Sequence, residues 1–440
     1  MTGLKKDRQS MVSRFSRRVR RSAPSPRRYR RRVAGTCSVL GAVAILSVGL
    51  TPGAAAADVQ PKQWYLSAMK AEEMWKASTG KGVKVAVVDT GVNPDTPSLK
   101  GQVLTDEVPK EVSYKATEDY DGHGTSMAEL IAGTGADGTL RGLAPDAKIV
   151  PYRVALTGLD KAEMQKAPHL AKVIRAIADS DVKIINMSFG GKIDLPDVRE
   201  AMKYAHDKGK LMFAGTGNDA METEFTGFPA AYPYVVGVAA SDESGVVGEF
   251  SQHGNYVDLA APGLDVPTWC DKTFRSYCTG EGTSMASAIA SASAALVWSA
   301  HPDWTANQVL ASLIDTAGRD WARDDPSTYL GYGLIRPRKV LENKDFNPGP
   351  ADTDPLAKEN FRGVVDESGK PVAASPSPST EPSKGTETSD GDDQGDRASA
   401  TASETDTSGN TTLWVALGAA AAALVIGGGA FAVIRSRRGA

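Results

Sequence analysis

The chain has 440 residues, 41% of them hydrophobic, which is enough for at least one large folded core. Its formal net charge is −3, but residues 1–33 hold 13 Lys/Arg and one Asp. The remainder contains 37 Lys/Arg and 52 Asp/Glu, a net charge near −15, and such an acidic body disfavours nucleic acid as a partner.

The N-terminal region is typical of an export signal. The basic residues 1–33 precede an uncharged, largely apolar stretch at 34–50, and an alanine-rich segment then leads to Ala57 and Asp58. This order predicts a secretory signal peptide over residues 1–57 that is cleaved near Ala57. An uncleaved N-terminal membrane anchor is the alternative.

Residues 58–345 have ordinary globular composition, with strand-like and helix-like segments in alternation. Strands are predicted at 84–88, 148–154, 182–187 and 210–214, and helices at 170–180 and 196–207. Alternation of this kind favours a single α/β domain whose mainly parallel sheet is covered on both faces.

Beyond residue 345 the composition changes. Pro, Ser, Thr, Gly and acidic residues predominate, which predicts a disordered linker over 346–411. Residues 413–434 then carry no charge, and 22 helical residues reach about 33 Å, enough to cross a membrane core of about 30 Å. We therefore expect a transmembrane helix at 412–434. Three arginines in the 435–440 tail indicate a cytoplasmic tail, so the globular domain of this single-pass membrane protein would be extracellular.

Two cysteines, Cys270 and Cys278, lie close together in the globular region. In an exported protein this spacing favours one disulfide that closes a short loop. A metal site is the alternative, but no histidine or further cysteine lies nearby. His169, His206, His253 and His301 show no metal-binding spacing either, so we predict structural or surface roles for them and no bound metal.

Four polar residues stand where α/β enzymes place chemical groups. Asp89 ends the first predicted strand, and strand carboxyl ends are where open sheets bind ligands. His123, between two glycines, opens a helix-like segment. Asn218 follows a glycine-rich turn after a strand, where its amide could stabilise an oxyanion. Ser284 begins an alanine-rich helix whose free N–H groups favour negative charge. Each residue taken alone also fits a plain turn, loop or packing role.

Together these residues follow the order Asp, His, Ser, one of the known orders of the serine triad. The surrounding segments resemble the subtilisin-like serine peptidases, or subtilases (peptidase family S8). The matching segments are VAVVDTGV at 85–92, GHGT at 122–125, NMSFG at 186–190, GN at 217–218 and GTSMAS at 282–287.

The resemblance implies a subtilisin-like three-layer α/β fold and a serine endopeptidase that needs no cofactor. It implies that Ser284 is the nucleophile, His123 the base, Asp89 the residue that orients the base, and Asn218 an oxyanion donor. It further implies that the substrate backbone binds at two segments, formed by Ser188, Phe189 and Gly190 and by Gly215 and Thr216.

Several positions depart from the usual family pattern. Ala288 stands where relatives usually carry Pro, Ser126 where many carry a second His, and Glu129 where many carry Gly. Phe189 replaces the commoner Leu, which we expect to narrow a substrate pocket. Subtilases often bind calcium through loops, but no loop of this sequence carries an EF-hand signature.

The whole arrangement, with signal, peptidase domain, linker and C-terminal span, resembles the mycosins, which are membrane-anchored subtilases associated with type VII secretion in actinobacteria. We expect protein or peptide substrates near the cell surface and type VII secretion components as candidate partners. A scaffold with the same fold and little proteolysis is the alternative. An esterase fits less well, because Ser284 lacks the Gly-x-Ser-x-Gly elbow.

Overall fold

The computed structural model describes residues 58–357, so the predicted signal, the predicted transmembrane segment and tail, and most of the predicted linker lie outside it. At its centre is a six-stranded parallel sheet in the order β2-β1-β3-β4-β5-β6. The strands are β1 Lys84–Asp89, β2 Lys148–Arg153, β3 Ile184–Met187, β4 Leu211–Gly215, β5 Val235–Ser241 and β6 Leu259–Pro262. The predicted mainly parallel sheet is confirmed.

Helices cover both faces of this sheet. They are α1 Trp64–Ala68, α2 Ala71–Trp75, α3 His123–Ala132, α4 Lys161–Met164, α5 Leu170–Ala178, α6 Pro196–Asp207, α7 Thr283–Ala300, α8 Ala306–Thr316 and α9 Pro337–Glu342. Within residues 58–357, no helix combines the length and apolar character needed to cross a bilayer.

Side-chain alternation along the strands divides the core into two layers. Val85 and Val87 of β1 pack with α3, α7 and α8, whereas Ala86 and Val88 pack on the other face with α5 and α6. Because both faces are buried, the strand reads as an unbroken apolar run, as expected for a parallel sheet between helices. The predicted three-layer α/β architecture is confirmed.

The strand order places polar groups at one edge of the sheet. The chain passes from β1 to its neighbour β2 and then returns to β3 on the opposite side of β1. Parallel sheets open a crevice at such a reversal, outside the carboxyl ends of the strands. Asp89 ends β1 and Ser188 follows β3, so both lie at this crevice.

A short antiparallel hairpin, formed by β7 Val266–Trp269 and β8 Tyr277–Gly280, precedes α7. Cys270 and Cys278 are joined by a disulfide at the loop end of this hairpin, with an S–S distance of 2.03 Å. The predicted disulfide is therefore present, and it closes a loop directly upstream of Ser284.

The packed chain continues beyond residue 345, where we predicted the linker to begin. The Phe346 ring lies 6.2 Å from the Trp304 ring, and Leu356 is only 2% exposed within the core. Gln308 Nε2 also donates a hydrogen bond to the carbonyl of Gly349. Within the described part of the chain, residues 346–357 therefore contact the domain through these two apolar side chains and this hydrogen bond.

Candidate active site

Asp89 and His123 form a close pair at the carboxyl end of β1. Asp89 is completely buried, and its Oδ1 lies 2.8 Å from Nδ1 of His123, the first residue of α3. The Thr90 backbone N–H donates to the same oxygen at 2.7 Å. The carboxylate thus holds the imidazole by Nδ1, which directs Nε2 away from Asp89.

Asp119, which the sequence reasoning missed, fixes the start of α3. Its Oδ1 accepts hydrogen bonds from Thr90 Oγ1 and Gly122 N, both at 2.8 Å. Its Oδ2 accepts from Thr125 N and Thr125 Oγ1 at 2.8 and 2.6 Å. An aspartate shortly before a helix start is a common capping signal, so this residue could have been found.

Glycine on each side of His123 is required by geometry. Gly122 has φ +103°, which L-residues rarely adopt. A Cβ at Gly124 would lie 2.1 Å from the carbonyl oxygen of Gly91, a severe overlap. The glycines therefore let the first turn of α3 approach the end of β1 closely enough for His123 to reach Asp89.

Charge sets the protonation of His123. Burial alone would lower the pKa of the imidazole, but the negative charge and hydrogen bond of Asp89 oppose this, with further contributions from Asp119 and Asp121. Together these carboxylates outweigh burial and raise the pKa of His123 to about 9. In the free protein the ring is therefore mainly protonated at neutral pH.

Ser284 is the second residue of α7 and is half-buried. Its Oγ donates to the carbonyl oxygen of Ser188, and Ser188 Oγ donates to the carbonyl oxygen of Ser284, both at 2.9 Å. Among residues 58–357, the Ser284 hydroxyl bonds to Ser188 and not to His123. The structure thus forms the Asp–His pair and ties the serine to the end of β3.

A buried amide links β3 to α7 below this serine. Asn186 is fully buried, its Nδ2 donates to Ser188 Oγ at 2.9 Å, and its Oδ1 accepts from Ser287 and Ser291 at 3.0 and 3.1 Å. The two serines are four residues apart and so share one helix face. Asn186 was noticed only as part of a motif, although an amide within an apolar strand signals such a network.

Asn218 lies beside the start of α7. Its Oδ1 accepts hydrogen bonds from both the backbone N–H and Oγ1 of Thr283, each at 2.9 Å. These two bonds engage the amide oxygen and so fix the orientation of the side chain. Its Nδ2 then remains available as a donor. The Ser284 N–H, in the first helical turn, has no partner within the helix. The Asn218 amide and the Ser284 N–H therefore both lie at the start of α7.

The predicted substrate-binding residues also lie together. Ser188, Phe189 and Gly190 follow β3, while Gly215 ends the neighbouring strand β4 and leads into Thr216. A Cβ placed on Gly190 would be 3.9 Å from the Gly215 carbonyl oxygen, so the two segments are adjacent. Phe189 is partly buried against the α5–α6 side of the core.

The four histidines outside this site make other contacts. Within the described range, no group of three or more His, Cys, Asp or Glu is placed to hold a metal ion. His169 lies 3.3 Å from Asp197. The remaining three stack on aromatic rings, in the pairs His206–Tyr234, His253–Tyr329 and His301–Trp304.

Comparison with known proteins gives a consistent result. The sequence profile of the subtilase family matches residues 80–333, more than half of the chain. The chain is 34% identical over 285 residues to the major intracellular serine protease of Bacillus subtilis, covering 61% of this chain and 86% of that protein. It is 32% identical to the minor extracellular protease Epr of the same species, but the match spans only 41% of Epr.

Among solved structures, the MycP3 protease from the type VII (ESX-3) secretion system superposes with a TM-score of 0.54 and 29% identity. That likeness covers 64% of this chain and 88% of MycP3. With the parallel sheet and the grouped motif residues, the family match leads to one conclusion: this chain belongs to the subtilases and is a serine endopeptidase.

Proposed function

We propose that Asp89, His123 and Ser284 form the catalytic triad of this endopeptidase, with Asn218 as oxyanion donor. The observation that carries the proposal is the 2.8 Å hydrogen bond between Asp89 and His123 at the crevice edge of the sheet. A buried carboxylate bonded to Nδ1 selects the tautomer whose Nε2 accepts a proton.

In the proposed reaction, Ser284 Oγ attacks the carbonyl carbon of the scissile bond while His123 Nε2 takes its proton. The hydroxyl must first leave the carbonyl of Ser188, to which it donates in this structure. Asp89 stabilises the imidazolium that forms. The imidazolium then protonates the leaving amine, and a water molecule repeats the sequence on the acyl-enzyme.

The negative charge of the tetrahedral intermediate is stabilised by Asn218 Nδ2 and the Ser284 backbone N–H. The two hydrogen bonds from Thr283 preorganise the Asn218 amide, so little reorientation is needed when the charge develops. The positive end of the α7 dipole acts in the same direction.

The substrate backbone is proposed to bind as an extended strand along Ser188, Phe189 and Gly190, with Gly215 and Thr216 beside the scissile bond. The adjacency of Gly190 and Gly215 supports this arrangement. The cleavage profile of Phe189→Ala tests it, because loss of the ring should change the preferred side chain. An unchanged profile would oppose a role for Phe189.

We further propose that the peptidase domain is exported and held outside the cell membrane. The support is the sequence pattern of residues 1–57, 346–411, 412–434 and 435–440. Association with type VII secretion is proposed from the likeness to MycP3, whose description names that system. Its substrates would then be exported or surface proteins.

Activity is tested with the full chain in mild detergent, comparing the wild type with Ser284→Ala. A fluorophosphonate probe should label only the wild type, and a peptide library should be cleaved only by the wild type. Equal labelling of both proteins would contradict the assignment of Ser284. If the wild type is not labelled and cleaves no peptide, the result would favour the scaffold alternative.

Location is tested in intact cells. Protease added outside should remove the peptidase domain, and a stop after residue 411 should release it into the medium. Protection from external protease, or retention of the truncated protein in the cell, would contradict the proposed topology.

A further inference from the structure

The hairpin that precedes α7 also lies against the first turn of α3. A Cβ on Gly122 would be 2.9 Å from the Asp271 carbonyl oxygen and 3.1 Å from the Lys272 backbone nitrogen, so the hairpin tip touches the residue before His123. At its other end, a Cβ on Gly280 would lie 2.8 Å from Met285 Cε, beside Ser284. The hairpin therefore spans the distance between the two proposed catalytic helices.

Ser126 joins this hairpin to α3 by two hydrogen bonds. The side chain is 1% exposed, and its Oγ accepts from the Trp269 backbone N–H at 3.0 Å. The same hydroxyl donates to the Gly122 carbonyl at 2.8 Å. One hydroxyl thus connects the end of β7 to the peptide unit that leads into His123.

A second attachment lies one helical turn further on. Glu129, which is fully buried, accepts a hydrogen bond from Tyr277 Oη on β8 at 2.8 Å and one from Thr96 Oγ1 at 2.7 Å. The Trp269 and Tyr277 rings stack with centroids 3.8 Å apart. Ser126 and Glu129, three residues apart, therefore present one face of α3 to both strands of the hairpin.

The disulfide joins the two ends of the hairpin loop beside this contact. Cys270 lies one residue beyond Trp269 toward the hairpin loop, whereas Cys278 is paired with Thr268, so the bond runs diagonally beside the stacked rings. Both cysteines are exposed. The loop between them closes over Gly122 while its strands are held on α3.

We propose that Ser126 is a positioning residue for His123, and that it acts by holding the disulfide-closed hairpin against the first turn of α3. The hairpin continues directly into α7, so this contact also sets His123 in register with Ser284. The proposal rests on the proposed triad and extends it to a residue that touches neither the substrate nor the reacting atoms.

The test compares Ser126→Ala with Ser293→Ala in the full chain. Ser293 is a matched control, because it is also a fully buried helical serine that donates to the carbonyl four residues earlier, that of Ile289, at 2.8 Å. We expect Ser126→Ala to lower kcat by about tenfold to a hundredfold with KM changed less than about twofold, the pattern of a misplaced base. Ser293→Ala should leave both constants nearly unchanged.

A second measurement needs no catalysis. In a Ser284→Ala background, the pKa of His123 is followed by NMR, with and without Ser126→Ala. A loosened first turn weakens the contact with Asp89, so the pKa should fall from about 9 toward 6.5. The double substitution Cys270→Ser with Cys278→Ser should shift the pKa the same way, and its effect should overlap with that of Ser126→Ala rather than add to it.

The positioning role would be overturned if Ser126→Ala and Ser293→Ala had equal kcat values and the pKa of His123 were unchanged. Fluorophosphonate labelling of the wild type would still support the triad in that case. Loss of kcat in both variants alike would also overturn the positioning role, because the effect would then be general destabilisation. An unlabelled wild type would instead remove the proposed function on which this inference rests.

Discussion

The two sides of the candidate active site are held in place by different forces. On the side of α3, His123 sits against the carboxylate of Asp89, while Asp119 organises the turn that precedes the helix. On the side of α7, Ser284 is held by neutral hydrogen bonds to Ser188 and by the buried amide of Asn186 below it. One side depends on charge, and the other on packing and neutral polar contacts.

This difference separates what each side should respond to. Charged contacts change when pH or a nearby carboxylate changes, and the pKa of His123 is raised to about 9 by its carboxylate neighbours. The neutral contacts around Ser284 do not titrate in the same range. Substitutions on the α3 side should therefore alter the pH profile, whereas those on the α7 side should alter rate or stability without moving it.

The largest effect is expected for Asp89→Asn. The amide can no longer select the right tautomer of His123 or stabilise its positive charge, so kcat should fall by about 10⁴-fold, as for this change in other serine triads. Steady-state kinetics on a cleaved peptide measures it. A loss below about tenfold would show that Asp89 does not orient the base.

On the other side of the site, Asn218→Ala should lower kcat by about 10²- to 10³-fold, because one of the two proposed oxyanion donors is removed. KM should change little, and the pH dependence should remain that of the wild type. A variant that loses only substrate affinity would contradict the oxyanion role.

A smaller effect is expected for Asn186→Ala, and on stability. Removal of the amide leaves the hydroxyls of Ser287 and Ser291 without the acceptor that they share inside the core. Buried unsatisfied groups cost about 1–3 kcal/mol each, so the free energy of unfolding should drop measurably in denaturant titration. An unchanged midpoint with unchanged slope would show that this network does not stabilise α7 on β3.

The smallest effect is expected for Asp121→Asn. This exposed carboxylate raises the pKa of His123 through its charge, so removing it should lower that pKa and move the rise in kcat/KM to lower pH. Asp324→Asn, an exposed change elsewhere on the domain, is the control and should not move the profile. A shift to higher pH, or an equal shift in the control, would contradict the electrostatic account.

The sequence was most informative where a residue's type and its position in the chain indicated the same structural or chemical role. Asp89 and His123 each fit a plain turn or loop role alone, and it was their order with Ser284 and the motifs around them that identified them. The four predicted strands were found because a sheet buried on both faces leaves long apolar runs.

What could not be predicted depends on three-dimensional pairing. Asp119 and Asn186 each carry a local signal, but their partners Thr90 and Ser287 could not be named, because only the fold brings them close. Strands β5 and β6 were not predicted, since Gly237 interrupts the valines of β5 and two alanines follow them, and β6 has only four residues, two of them alanine. Likewise, no motif indicates that the hydroxyl of Ser284 donates a hydrogen bond to the Ser188 carbonyl.

The most direct test of the triad is the pH dependence of the rate at which a fluorophosphonate modifies the full chain, with the modified residue identified by mass spectrometry. The account predicts modification at Ser284, at a rate that rises with pH and levels off above about 9, where His123 becomes neutral. The variant His123→Ala should lose both the rate and its dependence on pH. Modification at another residue, or the same rise of the modification rate with pH in His123→Ala, would contradict the assignment of the triad.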